Sequence, residues 1–94
     1  MNKLSEIEIQ KAIASLNGWK IEKNGIIKNF VFKNFKEALN KMNKIGEVAE
    51  EMNHHPEWFN VYNKLNIRLS THDKGGITQL DIELAKAIEK IIND

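Results

Sequence analysis

Cysteine is absent from this 94-residue chain, and proline occurs once. Without thiols there is no disulfide, no thiolate nucleophile and no thiolate metal site, so any chemistry must come from other side chains. Neither charge dominates. Fourteen Lys and Arg face thirteen Asp and Glu, a net charge of +1, and no basic block forms a stripe that would hold nucleic acid. Uninterrupted apolar runs reach only two or three residues, well short of the ~20 that cross a bilayer, so no membrane span is expected. The opening segment Met1–Glu8 lacks the apolar core of a secretion signal, and a cytoplasmic location is expected. What is present is 41% hydrophobic and 29% charged, the composition of a folded soluble domain. No repeat, low-complexity tract or Pro/Gly/Ser-rich linker divides the chain, so residues 1–94 are expected to form a single domain.

Helix signals come in three places. Ser5 followed by Glu8 is a capping box ahead of Ile9, Ala12, Ile13 and Leu16, and Asn17-Gly18 supplies the stop. Asn34 with Glu37 repeats the pattern and opens a stripe of Phe35, Ala38, Leu39, Met42, Ile45, Ala49 and Met52, a helix of about 18 residues. Thr78 can cap a last helix carrying Leu84, Ala85, Ile88, Ile91 and Ile92. Two hairpins lie between. Trp19–Glu22 and Ile26–Phe32 are separated by Asn24-Gly25, a turn pair that tolerates positive φ. Trp58–Tyr62 and Leu65–Thr71 flank Asn63-Lys64, with Leu65, Ile67 and Leu69 alternating against Asn66, Arg68 and Ser70. The order helix, hairpin, long helix, hairpin, helix predicts an α+β two-layer sandwich, a four-stranded antiparallel sheet with helices on one face.

Only three histidines exist, His54, His55 and His72, and all stand where elements end. Such ends gather functional groups, because a rigid scaffold positions them within reach of solvent and ligand. Surface histidines without function are also common. Three acidic residues sharpen the question: Glu47, Glu50 and Glu51 crowd the last turns of the long helix, where the macrodipole disfavours each by ~0.3–1 kcal/mol. Glu50 and His54 are spaced i, i+4 and share a face if the helix runs through Asn53. A carboxylate there favours the imidazolium, the form able to give up a proton. A plain solvated acidic face is the alternative.

Other residues keep two readings. On an extended Trp58–Tyr62 segment, Phe59 and Val61 face one way and Trp58 and Tyr62 the other, so one pair is expected in the core and the other at a ligand wall or subunit contact. Asp81 can serve the cap at Thr78, or orient His72. Three histidines can hold zinc, yet adjacent extended residues point apart and no His-x-His or His-x-x-x-His spacing occurs, so no metal site is expected.

The run Glu50-x-x-x-His54-His55-Pro56, then Tyr62 after five residues, His72 after nine more and Asp81 after eight, resembles the signature of the pterin-4a-carbinolamine dehydratases. The stretch from His54 to Lys64, with Ser70-Thr71-His72 following, is similar to members of that family nearly residue for residue. Asn53 departs from it, since close relatives often carry Asp there. The resemblance implies dehydration of a 4a-hydroxytetrahydropterin to quinonoid dihydropterin and water, in tetrahydrobiopterin recycling, with no metal or other cofactor. It implies catalytic roles for His54, His55 and His72. His54 and His72 would be the acid/base pair, and His55 would position the pterin. Glu50 is then expected to tune His54, and Asp81 to support His72. Asn53, His54, His55, Ser70, Thr71 and His72 would contact the substrate. Relatives of this kind assemble as homodimers or homotetramers, and animal members also act as dimerisation cofactors for a transcription factor, so a small protein-binding module is the alternative function.

Overall fold

The computed structural model describes residues 2–94; Met1, the first residue of the opening segment, lies outside the described residues. The caps do what their spacing predicts. Ser5 Oγ accepts from the Glu8 N–H, and the Glu8 carboxylate accepts from the Ser5 N–H, opening α1 (Glu6–Ala14). The Asn34 side chain accepts from the Glu37 N–H and starts α2 (Phe35–Met52). Thr78 and Asp81 form a second reciprocal box at the head of α3 (Gln79–Ile92).

Between the helices lie β1 (Lys20–Glu22), β2 (Gly25–Val31), β3 (Glu57–Val61) and β4 (Lys64–Leu69), all antiparallel in the order β1-β2-β4-β3. The two hairpins join through β2 and β4, in a register running from Ile26↔Leu69 to Val31↔Lys64. Their inward residues Ile26, Phe30, Leu65, Ile67 and Leu69 are buried against Ala38, Ile45 and Ala49 of α2 and Ile82, Leu84, Ala85 and Ile88 of α3. Each buried Ile or Leu contributes roughly 1.5–3 kcal/mol over an exposed one. The expected α+β sandwich is therefore the observed architecture. No described helix is long and apolar enough to cross a membrane.

Both turns sit one residue earlier than expected. Glu22 pairs with Gly25, so Lys23 and Asn24 make the first turn, and Lys23 takes φ +54°. Val61 pairs with Lys64, so Tyr62 and Asn63 make the second, and Tyr62 takes φ +52°. Gly25 is thus a strand residue whose missing side chain leaves room: a Cβ there would come within 2.7 Å of the Arg68 guanidinium carbon. Asn63 locks its turn onto β2 by donating from Nδ2 to the Phe32 carbonyl and accepting the Phe32 N–H.

The expected division of the β3 aromatics does not hold. β3 is an edge strand, and Trp58, Phe59, Val61 and Tyr62 are 37%, 69%, 54% and 61% exposed. Neither pair enters the core, and the turn conformation of Tyr62 removes it from the face of Trp58.

Candidate active site

The site begins at the end of α2. Asn53 adopts the left-handed conformation, φ +51°, its N–H returning to the Ala49 and Glu50 carbonyls, while the His54 N–H bonds to Ala49. This is a Schellman-type ending, and asparagine is among the few side chains that tolerate it. The helix therefore does not run through Asn53. The chain swings away there, and the expected Glu50–His54 pairing is lost. Glu50 meets His55 instead, whose Nε2 lies 2.8 Å from Glu50 Oε1 in an exposed pair.

His54 turns inward to a different carboxylate. Its Nε2 lies 2.6 Å from Oδ1 of Asp81, a side chain with no solvent exposure. Asp81 Oδ2 accepts two more bonds, from the Thr71 hydroxyl at 2.8 Å and the Thr78 N–H at 2.9 Å. With its proton given to Asp81, the Thr71 oxygen can only accept from the Thr78 hydroxyl, 2.8 Å away. The Thr78 oxygen in turn accepts the Leu80 N–H. The bonds form a directed chain ending on Asp81, which caps α3 and holds His54 with separate oxygens. The capping reading of Asp81 therefore holds, while the histidine it supports is His54 rather than the expected His72.

His72 has a partner of its own. A bridge between Thr71 and Gly76 ties the loop, Thr71 filling the place beside Asp81 and His72 falling on a short 3₁₀ turn, His72–Lys74. There His72 Nε2 lies 3.3 Å from Glu57 Oε2, which also accepts Arg68 Nη1 at 2.9 Å. The His72 bond is the main cause that lowers the Glu57 carboxyl below the usual carboxylate range; burial opposes it, and Arg68 adds to the lowering. Each histidine is consequently joined through Nε2 to its own carboxylate. An ionised carboxylate can only accept, so Nε2 donates in all three pairs. Nδ1 is left without a partner among the described residues. A ring held this way can take up and return a proton at Nδ1.

The three histidines and Glu57 line a cleft of about 420 Å³, walled also by Pro56 and Leu80, within the size range of small-molecule sites. All six residues expected to contact a ligand, Asn53, His54, His55, Ser70, Thr71 and His72, border it. Tyr62 does not; it lies exposed at the far turn of β3. Among the described residues no three His, Asp or Glu side chains converge to hold a metal ion. A smaller, mostly apolar depression of about 230 Å³ lies along the sheet between Val31, Phe59 and Val61, with no acid/base side chain but Lys64. Sequence reasoning missed Glu57 and Arg68 as neighbours of His72, and Thr78 as part of the Asp81 chain. The signal for the first pair was the strand register, which places Glu57 opposite Arg68.

Known proteins resemble this arrangement along its whole length. The family model for pterin 4 alpha carbinolamine dehydratase matches residues 2–91. A relative from Sulfurisphaera tokodaii is 48% identical over 98% of this chain and 99% of its own, and one from Christiangramia forsetii is 51% identical over 98% and 95%. Both bear the name "Putative pterin-4-alpha-carbinolamine dehydratase". A crystal structure of a transcriptional coactivator/pterin dehydratase from Brucella melitensis superposes with a TM-score of 0.95 at 39% identity, covering 97% of this chain and 99% of that one. A pterin dehydratase-like RuBisCO assembly factor of the alpha-carboxysome, at TM-score 0.68 and 14% identity over 81% and 88% of the two chains, shares the fold. With model, relatives and fold in agreement, the chain belongs to the pterin 4 alpha carbinolamine dehydratases, a family of hydro-lyase enzymes.

Proposed function

We propose that this protein dehydrates 4a-hydroxytetrahydropterin to quinonoid dihydropterin and water by histidine acid/base catalysis, in the cytoplasm and as a step of tetrahydrobiopterin recycling. The observation that carries the reading is that His54, held through Nε2 by the buried Asp81 beneath it, and His72 both border one cleft. Hydroxide is a poor leaving group, so the oxygen on ring carbon 4a must gain a proton as the C–O bond breaks. A ring nitrogen supplies the electron pair, and its N–H proton leaves to a base. The departing water carries the donated proton, and the ring proton replaces it on the enzyme, so the catalyst is regenerated. His54 and His72 exchange these protons, each worth typically ~10²–10⁴-fold. His55, steadied by Glu50, positions the pterin, and Asn53 and Ser70–Thr71 border the same space.

The exposed edge of β3 and the exposed Phe35 and Leu39 of α2 support assembly as a homodimer or homotetramer, with edge strands pairing across a two-fold axis and helices adding a second contact. The same apolar residues favour a second reading, a protein-binding module acting as a dimerisation cofactor for a transcription factor, which would use this surface rather than the cleft. The deciding experiment is a stopped-flow assay with freshly generated 4a-hydroxytetrahydropterin. Decay accelerated in proportion to enzyme supports the dehydratase reading; the spontaneous rate at stoichiometric enzyme refutes it.

A further inference from the structure

The three histidines are not held equally well. His54 is buried and fixed by Asp81, whereas His72 has a side chain 73% exposed on a three-residue turn without a side-chain cap. Among the described residues its ring makes one hydrogen bond, to Glu57 Oε2. Whatever orients His72 must act through that contact.

Glu57 in turn is built into the sheet. It stands directly opposite Arg68 in the register of β3 and β4, and accepts Arg68 Nη1 on the oxygen that faces His72. Arg68 is itself immobilised. Its Nη2 donates to Asn24 Oδ1 at 3.1 Å and to the Glu22 carbonyl at 3.4 Å, and its guanidinium packs against Gly25, where a Cβ would stand only 2.7 Å from the guanidinium carbon. The turn it grips is held from the cleft side as well, because Ser70 Oγ donates to the Asn24 carbonyl. An exposed ion pair of this kind adds little to folding stability. Its geometry serves something else: two donors converge on one oxygen, one anchored in the sheet and the other the ring at the rim of the cleft.

We propose that Glu57, anchored by Arg68, is the positioning residue for His72, fixing the ring and keeping its proton on Nε2 so that Nδ1 is the nitrogen offered to the substrate. This rests on the acid/base reading of His72 given above. Arg68 sets where the Glu57 carboxylate stands, and the Lys23–Asn24 turn sets where Arg68 stands. The β1–β2 hairpin, which contributes no residue to the cleft, thereby reaches the reacting group.

Steady-state kinetics and the ¹⁵N ring signals of His72 test this together in the full chain. Glu57→Ala should lower kcat about tenfold, the smaller end of the range for losing an orienting partner, with KM within about twofold. Glu57→Gln, which keeps an oxygen acceptor, should recover most of the loss, and Arg68→Met should fall between. In a His72→Ala background, Glu57→Ala should cost nothing further. The His72 ring should shift from one Nε2–H tautomer in the wild type to a mixture in Glu57→Ala. An equal kcat loss with and without His72, or ring signals unchanged by Glu57→Ala, would overturn the proposal. If His72→Ala were fully active, the acid/base reading would fall, and the ring signals would still decide whether Glu57 sets the tautomer.

Discussion

Replacing Asp81 by Asn separates the structural and chemical duties of one side chain. Asp81 accepts three bonds, at 2.6, 2.8 and 2.9 Å, from His54, Thr71 and Thr78. An asparagine of the same shape can turn its carbonyl to Thr71 and Thr78, preserving the cap. Its NH₂ then confronts His54 Nε2–H, donor against donor, and the histidine must move its proton to Nδ1. All three bonds lose their charge assistance, about 1 kcal/mol each, but the cost of burying a charged carboxylate disappears with it, so the net loss is about 1–2 kcal/mol. For a domain of this size that lowers Tm by roughly 5–15 °C. Asp81→Ala is a poorer probe, because it strands three buried donors at about 1–3 kcal/mol each, a sum comparable with a small domain's whole stability. Asp81→Asn should stay folded at 25 °C yet lose at least ~10²-fold in kcat, because Nδ1 now carries the proton instead of receiving it. Thermal melts followed by circular dichroism and stopped-flow turnover measure the two effects separately. A folded Asp81→Asn enzyme with wild-type kcat would refute the argument that Asp81 sets the protonation of His54.

His72→Ala and His54→Ala should each reduce kcat by ~10²-fold, but they should part in stability. The exposed His72 leaves Tm nearly unchanged, whereas loss of the buried His54 abandons Asp81 Oδ1 and lowers it; wild-type rates in both variants would remove the acid/base assignment. Overnight chelation and desalting should leave activity intact, and activity restored only by added zinc would instead support a metal-dependent mechanism. Light scattering at micromolar concentration should give at least twice the 10.9 kDa chain mass. A stable, active monomer would sink the edge-pairing model without touching the cleft.

Features read within a few residues of themselves were legible from the sequence. Ser5 with Glu8 and Thr78 with Asp81 declare helix starts, and the apolar stripe of Phe35–Met52 declares the long helix, because caps and periodicity are local physics. Pairings decided by a change of chain direction were not legible. Asn53 in the left-handed conformation breaks the i, i+4 relation on which Glu50 and His54 depended. A turn at Asn63-Lys64 would have set Glu57 opposite Ser70; moving it to Tyr62-Asn63 sets Glu57 opposite Arg68. No residue-type preference announces a tyrosine or a lysine at positive φ. Asp81 was weighed as cap or as histidine partner, and a carboxylate with two oxygens can be both.

That shared carboxylate links the occupancy of the cleft to the fraying of a helix. Opening the first turn of α3 carries Thr78 away from Asp81 and loosens the tether on His54, so a molecule that binds only when His54 is held must also hold that turn closed. The Thr78 and Leu80 amides, which take no part in the proposed proton transfers, become reporters of ligation, their hydrogen exchange slowing as the cleft fills.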